Sequence, residues 1–344
     1  MNEPIMEISR LVKEYPVQSG LGKDRKGTAV KAVSDVSFTV RKGETFSLVG
    51  ESGCGKTTLG RCLVRGIEAT SGHIYYYGNG GRIDFLKAKK QEYKAVRQNI
   101  QMIFQDPYSS LNPRMTVYDI ISEPLRALST LSKQEIDERV VAMAEQTGLN
   151  ASYLRRYPHA FSGGQRQRIG IARALVTNPK VIVCDEAVSA LDVSIQAQII
   201  NLLKDLQRQY QMTYLFISHD LSVVKHISDR IAVMYLGKIV ELADTDALFS
   251  RPMHPYSEAL LLSVPNPDPL IRRERIVLQG EVPNAANPPK GCHFHPRCAY
   301  KTAACEQVVP ELQDIGEGRL VACHHARELT LEGITAPALA GQRA

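Results

Sequence analysis

The chain has 344 residues, room for one large domain and a smaller one. Charged residues make up 23% and hydrophobic residues 44%, the composition of a soluble globular protein rather than a disordered one. A formal net charge of +6 suits an acidic lipid surface and nucleic acid about equally, so it decides between neither. No apolar run approaches the roughly 18 residues that span a bilayer, and Met1 to Ile5 show no basic-then-apolar leader. If the protein serves a membrane, it is expected to do so as a peripheral cytosolic subunit.

In chain order, the basic, Gly-containing stretch from Val17 to Thr28 reads as an exposed hairpin or loop. Val36 to Val40 alternates as a strand, and Arg41 to Glu44 turns into a second apolar strand, Thr45 to Val49. Gly50, Glu51, Ser52, Gly53, Cys54, Gly55, Lys56 and Thr57 follow, then a helix from Lys56 to about Val64. Strand, GxxxxGK[ST] and helix together form a phosphate-binding loop in its proper setting. Glycines let the backbone curl around an anion with its N–H groups inward. Lys56 adds positive charge near the β- and γ-phosphates, and the Thr57 hydroxyl can ligate Mg²⁺. Thr58 completes the nucleotide-contacting stretch. Cys54 reads as a tolerated small residue, with an oxidation-sensitive thiol as the alternative.

Gln105 sits in Ile103-Phe104-Gln105-Asp106-Pro107, and helical spacing follows over Val117 to Leu128, Lys133 to Thr147 and Ala151 to Arg156. Phe161-Ser162-Gly163-Gly164-Gln165 precedes an amphipathic helix, Arg166 to Val176. The strand Val181 to Asp185 ends in two carboxylates, Asp185 and Glu186, and Ser189 to Asp192 comes soon after. The strand Tyr214 to Ser218 ends at His219, and strands Arg230 to Tyr235 and Lys238 to Glu241 flank Leu236-Gly237. After about residue 250 prolines crowd the chain, and a short helix from His254 through Leu262 is broken at Pro265.

These residues resemble the ATP-binding cassette (ABC) family over roughly residues 5 to 245, with signature, Walker B, D-loop and switch histidine in order. The resemblance implies an α/β fold: a P-loop NTPase domain with RecA-like core, antiparallel β subdomain and helical subdomain, plus a small irregular C-terminal domain. It places the ATP-binding domain at 1–250 with its helical part at about 108–165, the C-terminal domain at 251–330, and a disordered tail at 331–344. ATP and Mg²⁺ are the implied substrate and metal. Asp185 would hold Mg²⁺, which takes carboxylate oxygen readily, with Thr57 and Gln105. Glu186 would be the general base, His219 would hold the γ-phosphate region, and Tyr15 would stack on adenine. Ser162, Gly163, Gly164 and Gln165 would face the nucleotide of the opposite subunit in a head-to-tail dimer. Two departures from the family pattern, Phe161 for leucine and Ala187-Val188 for Pro-Thr, remove no catalytic group.

The segment after residue 250 resembles the C-terminal extension of ATPases of oligopeptide and dipeptide importers. The matching phrases are His254-Pro255-Tyr256, Arg272 to Ile276, and Asn287-Pro288-Pro289 leading to Cys292 through Cys298. Cys292, Cys298, Cys305 and Cys323 are separated by five, six and 17 residues. By themselves they leave open an iron–sulfur cluster, zinc or free thiols; the resemblance implies a [4Fe–4S] centre, with Zn²⁺ as the alternative. The implied assembly has two integral-membrane permeases, a second ABC ATPase forming a heterodimer, and an extracytoplasmic solute-binding protein. The chain would lie peripherally on the cytoplasmic face of the membrane, with no nucleic acid partner. A non-transport ABC ATPase acting on DNA or ribosomes and an exporter ATPase are the competing readings.

Overall fold

The computed structural model describes residues 3–16, 29–78, 80–264, 278 and 280–334. The loop expected over 17–28, the phrase Arg272 to Ile276 and the tail from 335 onward lie outside the described residues. The chain divides into two compact units. The first comprises Met1–Leu11, Ser37–Phe46 and Thr57–Ser218; the second comprises Val12–Val36, Ser47–Lys56 and His219–Ala344.

Strands β1 (Pro4–Pro16), β2 (Ala29–Arg41) and β3 (Thr45–Val49) open the chain, followed by α1 (Lys56–Leu63). Within the first unit β1 and β2 are tied where the Arg10 amide donates to Ser37 Oγ (2.8 Å). Four elements between α1 and the helical region have no counterpart in the sequence reading: β4 (Ser71–Gly78), β5 (Gly81–Asp84), α2 (Lys90–Asn99) and β6 (Ile100–Ile103). β4 and β5 pair antiparallel, Tyr75 opposite Asp84.

Helix α3 (Val117–Leu128) falls where the spacing predicts, and α4 (Lys133–Gln146) stops one residue short. Thr116 caps α3 by accepting from the Asp119 amide, and Ser132 and Glu135 form a reciprocal box at the start of α4. Residues 151–156 differ from the expected helix. Only a 3-10 turn, Ala151–Tyr153, forms there, because the Asn150 side chain accepts from the Ser152 amide (2.9 Å) and Pro158 bars continuation.

Helix α5 (Gly163–Leu175), strand β7 (Val181–Asp185), helix α6 (Val193–Tyr210) and strand β8 (Thr213–Ile217) complete the first unit. β6, β7 and β8 run parallel, with Ile100 opposite Val181 and Asp185 opposite Ile217. Every residue of β7 and β8 is buried, as parallel strands covered on both faces require. Their near-continuous apolar sequence is the consequence.

The second unit continues with α7 (Leu221–Ile227), β9 (Arg230–Tyr235), β10 (Lys238–Asp244), α8 (Thr245–Ser250) and α9 (Pro255–Leu262). It ends with α10 (Ala303–Gln307), β11 (Gln313–Gly316) and β12 (Arg319–Val321). β9 and β10 form a hairpin around Leu236 (φ +41°) and Gly237 (φ +79°), both left-handed as a tight hairpin turn demands. β10 runs three residues past the expected Glu241, and β12 pairs with it antiparallel, Glu241 opposite Val321. Arg319 of β12 and Glu241 of β10 form a buried ion pair (3.2 Å), and Glu241 also accepts from the Met253 and His254 amides (2.8 and 3.0 Å). The Glu332 amide donates to Glu258 of α9 (2.7 Å), which anchors the chain shortly before the described residues end. Among the described residues, no helix is long and apolar enough to cross a membrane.

Candidate active site

The glycines of the loop between β3 and α1 are placed by sterics. Gly50 has φ +151° and Gly55 φ +110°. A Cβ on Gly50 would lie 2.2 Å from the Met234 carbonyl, and one on Gly55 2.0 Å from the Ala32 carbonyl. Only glycine lets the loop pass that close to other backbone. Lys56 is 4% exposed, and its Nζ donates to the carbonyls of Gly50 (2.8 Å) and Glu51 (2.9 Å), which curls the loop around the ammonium group. Ser52 and Gly53 are exposed at the loop's tip, while Cys54 is buried. Burial pushes the Cys54 thiol up, against the pull of Lys56, so the loop cysteine is held protonated rather than activated.

In the first unit, two pairs of predicted site residues come together. The Thr57 hydroxyl, at the start of α1, donates to Asp185 Oδ1 (2.9 Å), and Asp185, ending β7, is 1% exposed. A hydroxyl oxygen beside a carboxylate is a donor set suited to Mg²⁺. Gln105 Nε2 donates to Glu186 Oε2 (2.8 Å). Glu186 adopts φ +47°, a conformation uncommon for a residue with a side chain. The fold holds it there through the Glu186 amide on the Ile217 carbonyl (2.9 Å) and through Ser189, whose amide (3.1 Å) and Oγ (3.0 Å) both donate to the Glu186 carbonyl.

The remaining predicted residues have simpler surroundings. Ser162 is the N-cap of α5, so that helix starts at Gly163, three residues before the predicted start. Ser162 and Gln165 cap each other reciprocally: Ser162 Oγ accepts from the Gln165 amide (3.4 Å) and Gln165 Oε1 accepts from the Ser162 amide (3.1 Å). Gly163 and Gly164 form the first turn, and Ser162 is exposed. Thr58 lies in the first turn of α1. His219 belongs to the second unit, exposed between β8 and α7, whose cap Asp220 accepts from the Ser222 amide (2.8 Å). Tyr15, near the end of β1, is 41% exposed with Lys13 Nζ 4.8 Å above its ring.

Two residues at the nucleotide loop escape the sequence reading. Arg297 grips the Glu51 carboxylate with both ends of its guanidinium (2.7 and 3.0 Å), and the Glu51 amide donates to the Tyr256 hydroxyl (2.8 Å). The Glu51 carboxylate beside it raises the Arg297 pKa further. Arg297 lies inside the quoted Cys292-to-Cys298 phrase, which draws attention only to its cysteines. Nothing in the sequence links it to a residue so far upstream.

The cysteines require a correction. Cys292, Cys298, Cys305 and Cys323 line one small apolar pocket with His254 and Phe294. Yet among the described residues no group of three or more His, Cys, Asp or Glu side chains is placed to hold a metal ion, and these four cysteines form no disulfide. The expected [4Fe–4S] cluster and its Zn²⁺ alternative are therefore not supported. Two of the sulfurs make local contacts: Cys305 Sγ lies 3.5 Å from Thr302 Oγ1, and Cys323 Sγ accepts from the His325 amide (3.4 Å). Burial pushes the Cys298 thiol up to about 11 and the Cys323 thiol up to about 12, holding both protonated.

Comparison with known proteins identifies the family. The ABC transporter family matches residues 33–189, and the oligopeptide/dipeptide transporter C-terminal region matches residues 240–305. The oligopeptide transport ATP-binding protein AppF of Bacillus subtilis (strain 168) is 52% identical over 94% of this chain and 97% of its own length. The dipeptide transport ATP-binding protein DppF of Escherichia coli (strain K12) is 49% identical over 94% of this chain and 95% of its own. Among solved structures, the post-hydrolysis dimer of the ATP-binding cassette MJ0796 bound to ADP and Pi superposes with a TM-score of 0.60. It is 26% identical, covering 70% of this chain and 99% of that one. The chain belongs to the ABC transporter family as an ATP-binding protein, an ATPase coupled to transport.

Proposed function

We propose that this protein is the ATP-hydrolysing subunit that energises an importer of oligopeptides, dipeptides or similar solutes. The near-full-length identity to peptide transport ATP-binding proteins, extending through the C-terminal region, carries this reading. The subunit would work peripherally at the cytoplasmic face of the membrane with two permeases, a second ATPase and an external solute-binding protein. In this reading residues 1–250 form the ATP-binding domain, with its helical part at about 108–165, and residues 251–330 form the C-terminal domain.

The chemistry follows from the pairs above. Tyr15 would offer a flat face to adenine, and the loop amides from Ser52 to Thr58 with Lys56 would cradle the phosphates. Thr57, Gln105 and Asp185 would hold Mg²⁺, which draws charge off the phosphate oxygens when bound. Glu186 takes the proton of the attacking water, and Gln105, already on its carboxylate at 2.8 Å, keeps that carboxylate aimed. His219 would steady the γ-phosphate. The exposed cap formed by Ser162, Gly163, Gly164 and Gln165 would meet the nucleotide bound to a second ATPase, with the positive end of α5 turned to it. Closure of such a pair on ATP, and its release after hydrolysis, would drive the permeases.

The test is uptake of labelled di- and oligopeptides by cells lacking this chain and supplied with either wild type or Glu186→Gln. Uptake restored by wild type alone is expected. Peptide uptake unaffected by loss of the chain would remove the import assignment while leaving the ATPase untouched.

A further inference from the structure

We propose that Arg297 and Tyr256, both from the segment after residue 250, are positioning residues of the nucleotide loop: they grip Glu51 at its carboxylate and its amide. The proposal rests on the ATP-binding reading above.

Glu51 is engaged at three points. Its carboxylate is forked by Arg297, its amide donates to the Tyr256 hydroxyl, and its carbonyl accepts from Lys56 Nζ at 2.9 Å. The position of the Lys56 ammonium therefore depends on where Glu51 is held. A planar guanidinium bound to a carboxylate through two parallel hydrogen bonds fixes direction as well as distance. The Arg297 side chain is 7% exposed, and its Nε is buried without a hydrogen-bond partner. An ion pair so desolvated adds little net stability compared with apolar side chains of similar volume. What it supplies is a defined location for Glu51.

The grip is itself rigidly mounted. The Tyr235 and Tyr256 rings lie 4.6 Å apart, and Phe294 packs 5.3 Å from each. Tyr256 is fully buried in α9, and Arg297 ends a 3-10 turn, His295–Arg297, three residues beyond Phe294. The segment after residue 250 thus contributes to the ATP site through Glu51. Its two grip residues are outside the motifs that mark that site in the sequence.

The test uses the full chain with Mg²⁺. Equilibrium binding of a fluorescent ATP analogue, KM and kcat for ATP hydrolysis, and thermal midpoint are measured for wild type, Arg297→Lys, Arg297→Met, Tyr256→Phe and Glu51→Gln with Arg297→Met. Arg297→Met is expected to weaken nucleotide binding and raise KM about tenfold, with kcat changed by less than about twofold. Arg297→Lys, which keeps the charge but not the fork, should recover only part of that loss. The double variant should be no worse than Arg297→Met alone, because both act through one contact. Tyr256→Phe removes a single oxygen and should raise KM about threefold to tenfold without unfolding the chain. Unchanged affinity and KM in Arg297→Met or Tyr256→Phe, whatever happens to the thermal midpoint, would overturn the proposal. A double variant clearly worse than Arg297→Met alone would overturn it too. A wild-type chain that binds no nucleotide would instead remove the ATP-binding reading on which the proposal rests.

Discussion

The nucleotide loop and the segment after residue 250 hold their key side chains over different ranges of sequence. In the loop, Lys56 reaches carbonyls five and six residues away. In the later segment, Arg319 pairs with Glu241 across 78 residues and Arg297 pairs with Glu51 across 246. Short-range contacts are set by the local backbone and travel with a motif. Long-range pairs exist only once the chain has folded, so each is a separate tertiary commitment. The loop should therefore lose function first when altered; in the later segment, loss of the Arg319–Glu241 pair should show first as lost stability, and loss of the Arg297–Glu51 grip as weakened nucleotide binding.

The largest effect sharpens the first half of that contrast. Lys56→Ala removes the ammonium while leaving the glycines in place, and nucleotide affinity should fall on the order of 100-fold with little change in thermal midpoint. Calorimetric titration with Mg-ATP measures it. Arg319→Met tests the other half. It leaves Glu241 buried beneath two amide donors without its cation, and should destabilise the fold by about 3 kcal/mol in urea titrations.

A pH experiment probes the same segment. His254, 1% exposed, accepts from the Tyr256 amide through Nδ1 (3.1 Å), and burial lowers its pKa to about 3. Because the folded value lies below the unfolded one of about 6.5, its contribution is complete above pH 6.5 and is lost progressively as pH falls toward 3. Between pH 7 and pH 5 the wild type should lose about 2 kcal/mol that His254→Asn, which retains an acceptor for the cap, does not lose. The smallest effect is expected at Ser162→Ala, where loss of the α5 cap should cost about 1 kcal/mol in the same urea assay.

The range of each contact also decides what could be read in advance. The loop, the strand ending at Asp185 and the hairpin at Leu236-Gly237 were legible because glycine placement, apolar runs and turn chemistry are local. The β4–β5 pair is not legible because Ile74 to Tyr77 show no apolar–polar alternation, and α2 is not legible because Val96 is its one buried residue, which leaves no apolar stripe. β12 was missed because three residues gain strand geometry only by pairing with β10. The cysteines mislead for the same reason in reverse. Their spacing suggests a shared ligand, but how the sulfurs are arranged is a tertiary property, and the fold brings them to one small pocket without a metal-binding group. At the active site, Gln105 and Glu186 are 81 residues apart; the family resemblance implies a role for each, but their hydrogen bond is a tertiary fact, and no motif assigns a role to Arg297.

The most direct measurement is Mg-ATP hydrolysis by the full chain, comparing wild type with Glu186→Gln, alongside nucleotide binding by both. Turnover that falls by about 100-fold or more in the variant, with affinity retained, is the predicted result. Equal turnover in the two proteins would contradict the assignment of Glu186 as the base and the account of the site built around it.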